Sequence, residues 1–109
     1  MTIKPINAVA MKLYRGTTIL ECNDLLAGIQ GRPITHWCES YEKAKMYSKG
    51  AVVCLVLDEV PPQLKNYRSV CQGDAVHGTF TEYKIPHSFF SNVLHNWAED
   101  DSYVTLTGK

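Results

Sequence analysis

The sequence has no excess of charge, no C-x-x-C pair and no apolar run long enough for a membrane span. Eleven Lys and Arg cancel eleven Asp and Glu. The broad basic footprint of a nucleic-acid-binding protein is therefore missing, with room only for a small basic groove. The longest apolar stretch, Ala51 to Leu57, falls far short of the ~20 residues a bilayer demands. Met1 to Met11 lacks the apolar core and small-residue cleavage site of an export signal, so neither export nor a membrane partner is expected. The four cysteines, Cys22, Cys38, Cys54 and Cys71, are too evenly scattered for a zinc site, which draws on close pairs. Without a secretion signal they are read as reduced, mostly buried thiols in a cytoplasmic setting. Walker-type loops, G-x-G-x-x-G, H-E-x-x-H and paired carboxylates on one helix face are also missing.

What is present is the balance of a globular chain: 109 residues, 45% hydrophobic and 20% charged. That length fits one domain over 1–109 with a loose lead-in at 1–11, where Pro5 opposes a helix. No repeat, linker or low-complexity segment divides it. The pattern predicts α+β: a compact domain of mixed or antiparallel sheet with about three helices.

Lys12 to Gly16 reads as a strand ending in a turn. Thr18 to Ile29 reads as a helix: Thr18 and Glu21 have capping-box spacing, apolar residues recur at helical period, and Gly28 and Gly31 are stop signals. Arg32 to Trp37 is a strand that starts at Pro33 or lies at an edge. Ser40 caps a helix carrying Tyr41, Ala44 and Tyr47, which Gly50 ends. Ala51 to Leu57, apolar and β-branched, reads as a strand covered on both faces. Tyr67 to Cys71 reads as a short strand and Ala75 to Ile85 as a longer one with a bulge at Gly78. Ser88 to Trp97 reads as a helix presenting Phe89, Phe90, Val93, Leu94 and Trp97 to the core. Tyr103 to Thr107 alternates as a final strand.

Two segments point to chemistry. In Leu13-Tyr14-Arg15-Gly16-Thr17, an arginine at a strand end offers a two-point fork for phosphate or carboxylate, and the glycine permits close approach to the backbone. In Ile34-Thr35-His36-Trp37, a small hydroxyl beside an aromatic can orient a ligand, while Trp37, Ala44 and Tyr47 at their spacing also suit plain core packing. Elsewhere, His77 or His87 can serve as a base. Cys38 shares a strand face with His36 and can be paired with it, or with His77 or His95, as a nucleophile.

LYRG, then THW, then a helix with A-x-x-Y, then an apolar strand resembles the ADP-ribosyltransferase fold of the Arg-Ser-Glu type, in small bacterial and phage-like members. The resemblance spans about residues 12–86. It implies that Arg15 is the family arginine and that Thr35 stands for the family serine or threonine. Glu82 in Thr79-Phe80-Thr81-Glu82-Tyr83 is then the downstream glutamate.

It further implies NAD as substrate. Arg15, with Tyr14 and Gly16, would hold the pyrophosphate or ribose region, and Thr35 would bind near the nicotinamide ribose. Either Tyr47 or Trp37 would pack on the nicotinamide ring. Glu82 would stabilise the positive charge that develops on the sugar as nicotinamide leaves. The acceptor of this glycosyl transfer would be a protein, nucleic acid or small molecule. Arginine-modifying members carry Glu or Gln where Phe80 stands, so an arginine acceptor is not implied. His36 replaces a small hydroxyl of the family segment. The alternative is the same fold with an inactive site, such as a phage-encoded inhibitor or adaptor that binds a host protein.

Overall fold

The computed structural model describes residues 11–72, 78–93 and 95–99, except the side chains of Cys71 and Asn92. They form a six-stranded sheet of order β4-β5-β2-β1-β3-β6, in which every paired strand is antiparallel. The strands are β1 (Met11–Thr18), β2 (Ile34–Cys38), β3 (Gly50–Leu57), β4 (Arg68–Gln72), β5 (Thr79–Pro86) and β6 (His95–Glu99). Three α-helices, α1 (Ile19–Leu26), α2 (Tyr41–Tyr47) and α3 (Phe89–Asn92), and a 3-10 helix at Pro62–Tyr67 complete a single α+β domain. Among the described residues, no helix is long and apolar enough to cross a membrane.

Strand alternation divides the core into two layers. Leu13, Trp37, Val53, Leu55, Leu57, Tyr83 and Ile85 face one side. There they pack with Cys22 and Leu25 of α1, Leu64 of the 3-10 helix, and Phe89 and Phe90 of α3. Tyr14, Cys38, Val52, Cys54 and Val56 face the other side and meet Ala44 of α2, with Tyr41 and Phe80 against them. The Val52–Leu57 run is buried throughout, because β3 lies between β1 and β6 with a core layer on each face. Its uninterrupted apolar sequence follows from that position.

Both caps form as their residue types dictate. Thr18 Oγ1 accepts the Glu21 N–H at 3.1 Å, and Ser40 Oγ accepts the Lys43 N–H at 3.2 Å. Helix α1 is shorter than Thr18–Ile29. Gly28 takes φ +82°, and the Ile29 N–H returns to the Asp24 carbonyl at 2.8 Å, the pairing of a Schellman stop. Helix α2 ends before Gly50: Ser48 turns its N–H and hydroxyl onto the Lys45 carbonyl, and Gly50 opens β3 instead. Strand β2 begins just after Pro33 and is interior. Gly78 precedes β5 with φ +69° rather than bulging it.

The C-terminal expectation needs correction. The helix expected over Ser88–Trp97 stops at Asn92, and His95–Glu99 form a strand paired with β3 from Leu57↔His95 to Val53↔Glu99. The unpaired outer edge of β3 needed backbone partners, and that tertiary demand overrode the helical spacing. Phe89, Phe90 and Trp97 still meet, with Phe90–Trp97 centroids 5.3 Å apart and Trp37–Trp97 5.7 Å. Phe89 and Phe90 are buried, and Trp97 packs partly buried against them. The strand expected at Tyr103–Thr107, the lead-in and His77 lie outside the described residues.

Candidate functional site

Strand β1 runs in register with β3 along its whole length, from Met11↔Leu57 to Thr18↔Gly50. With β2 it keeps one register pair, Tyr14↔Cys38. Beyond that pair the sheet opens, and α2 crosses the gap. The result is a cavity of about 410 Å³, within the size range of small-molecule sites. Tyr14, Arg15 and Gly16 of β1 form one wall and His36, Trp37 and Cys38 of β2 another. Ala44 and Tyr47 of α2 cover it, and Phe80 and Glu82 of β5 close the far side.

Arg15 spans the opening. Its Nη1 donates to the His36 carbonyl at 3.4 Å, while Nε and Nη2 donate to the Glu21 carboxylate at 2.7 and 3.3 Å. Three of the five guanidinium N–H donors are thus engaged, and the fork is held in one orientation. Glu21 therefore does more than its place in the capping pattern indicated: its N–H completes the cap, and its carboxylate orients Arg15. The spacing of six residues gave no signal for this, because the contact exists only once α1 has folded back on β1.

Gly16 is required for a reason other than ligand approach. A Cβ here would collide with the Ala44 carbonyl and come within 2.7 Å of the Ser48 nitrogen. The glycine lets the last turn of α2 sit directly on β1, which sets the depth of the cavity.

Glu82 is paired across the ladder with Cys38 on one side and Ser69 on the other, so all three side chains share a face. Its carboxylate stands 3.7 Å from His36 Nδ1. The Ser69 hydroxyl is buried and has no hydrogen-bond partner among the described residues. Burial pushes the Cys38 thiol up from its ordinary value, and the neighbouring Glu82 and Glu39 carboxylates push the same way. The thiol donates to the Ser40 carbonyl at 3.2 Å. A protonated, buried thiol is a poor nucleophile, so the Cys-His pairing is disfavoured. Of the other histidines considered, His95 packs edge-on against Phe90 and Trp97 and His87 is exposed. Neither lines the cavity.

Thr35 is separated from the rest. Its side chain is on the α1 face, where Oγ1 accepts the Trp37 indole N–H at 2.7 Å. It lines a second cavity of about 400 Å³ with Thr18, Glu21, Asp24 and Arg32. Arg15, Gly16, Tyr14, Trp37, Tyr47 and Glu82 line one cavity and Thr35 does not; across the opening, the Arg15 side chain lies with Leu13 and Val53 on the α1 face, and that of Glu82 lies with Cys38 on the α2 face. Trp37 itself is nearly fully buried and serves the core. Tyr47 is half-exposed and pairs with Phe80 at 5.8 Å between centroids. This leaves Tyr47 as the aromatic available to a ligand ring.

Among the described residues no group of three or more His, Cys, Asp or Glu side chains is arranged to hold a metal ion. No family model, no curated protein and no solved structure matches the chain.

Proposed function

We propose that the chain is an NAD-dependent mono-ADP-ribosyltransferase with an ADP-ribosyltransferase-like architecture. The observation that carries this reading is that Arg15 and Glu82, far apart in sequence, line the same cavity. The lining also fits the parts of the dinucleotide. The Tyr47–Phe80 ring pair is an aromatic wall for the nicotinamide. The fixed guanidinium of Arg15 keeps unspent N–H donors for a phosphate or ribose oxygen. Glu82 is a carboxylate for the ribose. As the glycosidic bond to nicotinamide breaks, positive charge develops on the sugar. A negative group already oriented there lowers the barrier without reorganising.

Nicotinamide release from NAD tests the proposal. The wild-type chain releases nicotinamide, and Glu82→Gln is slower by about 10²–10³-fold. Equal rates for the two proteins would remove Glu82 from the chemistry.

A second reading has a specific observation in its favour. Glu21 already occupies part of the Arg15 fork, and Thr35 is committed to Trp37. An inactive binding module, such as an inhibitor or adaptor for a host protein, would look the same. Under this reading millimolar NAD leaves the melting temperature unchanged. Under the first it raises it, because a ligand that binds only the native state stabilises that state by mass action.

A further inference from the structure

Glu82 shares its cavity with an imidazole. His36 and Glu82 are on neighbouring antiparallel strands, where Cys38↔Glu82 and His36↔Lys84 are the register pairs. His36 is thus diagonal to Glu82 on the same face, with Nδ1 3.7 Å from Glu82 Oε2. Its backbone is fixed by the β5 ladder and by the Arg15 guanidinium on its carbonyl. Its side chain remains half-exposed, while that of Glu82 is mostly covered. One ring nitrogen faces the carboxylate, which leaves the other for a reacting group.

The rest of the cavity disfavours a cationic acceptor. Phe80 precedes Glu82 by two residues on the same face, so a second carboxylate is missing there. The apolar Phe80 ring stands where a cationic acceptor would need an anchor, with the Lys43 ammonium 5.6 Å from its centroid, and the charge of Arg15 is already matched by Glu21. A neutral hydroxyl needs no such anchor, but its oxygen must lose a proton as it attacks. A positioned imidazole can take it.

We infer that His36 is the general base of the transfer and that the acceptor is a hydroxyl group. The inference rests on the proposed NAD chemistry of the same site. In the step, the bond between the ribose carbon and the nicotinamide nitrogen breaks, and its electron pair leaves with nicotinamide. The acceptor oxygen forms the new bond to that carbon. The hydroxyl proton passes to His36, whose imidazolium is stabilised by Glu82 and then releases the proton to solvent. The charged and titratable groups around His36 are Glu82 and Lys84 of β5, Arg15 and Tyr14 of β1, Cys38 of β2, and Tyr47 and Lys43 of α2.

The test uses the full chain with NAD, and methanol or agmatine as small hydroxyl and guanidinium acceptors. Wild type forms the methyl glycoside of ADP-ribose and no agmatine adduct. His36→Ala and His36→Gln lose about 10²-fold in the rate of transfer, with KM for NAD unchanged. Added imidazole restores part of the activity of His36→Ala. An unchanged unfolding midpoint in His36→Gln separates this loss from misfolding. If either variant matches wild type in rate, or if agmatine is the preferred acceptor, the inference falls while the NAD reading stands. Absence of nicotinamide release from wild type overturns both.

Discussion

Thr35 Oγ1 accepts the indole N–H of Trp37 at 2.7 Å, between side chains that are both almost wholly buried. The residues are two apart on β2 and so share a face. The hydroxyl answers the one polar need of the largest side chain in the core. Thr35→Val removes the acceptor, strands the indole N–H and destabilises the fold by about 1–3 kcal/mol. Thr35→Ser retains the acceptor and most of the stability. Chemical denaturation of both variants measures this. Nicotinamide release per folded molecule stays at the wild-type level, and a stable Thr35→Val protein with lost turnover would return Thr35 to the site.

Gly16 and Ala44 are in contact through backbone atoms, with no space for a methyl group between them. Gly16→Ala forces α2 away from β1 and costs about 1–3 kcal/mol, as overpacking of a tight contact does. The displaced helix carries Tyr47, so NAD-induced stabilisation is lost as well. A thermal melt of Gly16→Ala with and without NAD reads both effects.

The order of elements along the chain was legible where local and tertiary preferences agree. Ala51–Leu57 and the two cap residues, Thr18 and Ser40, specify their elements in any context. The segment after Pro86 does not. Phe89, Phe90, Val93 and Trp97 fit a helical stripe, yet the free edge of β3 recruits His95–Glu99, and sequence spacing carries no record of an edge three strands earlier in the chain. In the site, alternation was enough to place His36 and Cys38 on one face. The same alternation places Thr35 with Trp37, and Arg15 with Leu13, on the other face from Glu82, so that Arg15 reaches the cavity only across the opening between β1 and β2. The Arg15–Glu21 contact was hidden because it forms through tertiary folding of α1 on the strand, not through a spacing rule.

Arg15 and Glu21 can be separated by substitution because the cap at Thr18 uses the Glu21 backbone, not its side chain. Glu21→Gln therefore keeps α1 and weakens only the grip on the guanidinium. It lowers stability by about 1 kcal/mol, in the range of hydrogen bonds to charged groups reduced by screening at a partly exposed site. It also reduces the melting-temperature rise given by NAD. Arg15→Lys keeps the charge but removes the fork, and abolishes that rise. Titration of the melting temperature with NAD distinguishes the variants. A full shift in Arg15→Lys would show that the guanidinium does not hold the ligand.

Alkaline pH should weaken the fold through two identified groups. Burial raises the Tyr83 phenol above its ordinary 10.0, and the Glu39 carboxylate, 3.3 Å from the hydroxyl, adds to the rise against an opposing pull from Arg68. Burial likewise raises the Cys38 thiol above 9.0, with Glu82 and Glu39 contributing. In both cases the folded chain holds its proton more tightly than the unfolded chain. Stability is fully present below the unfolded values and falls as pH rises from about 9 through the raised folded values. The denaturant midpoint should be level from pH 7 to 8.5 and decline above pH 9. Tyr83→Phe removes the upper part of the decline, because a phenylalanine has no proton to lose, and Cys38→Ala removes the lower part. A midpoint in Tyr83→Phe that follows wild type throughout would show that the phenol is not the responsible group.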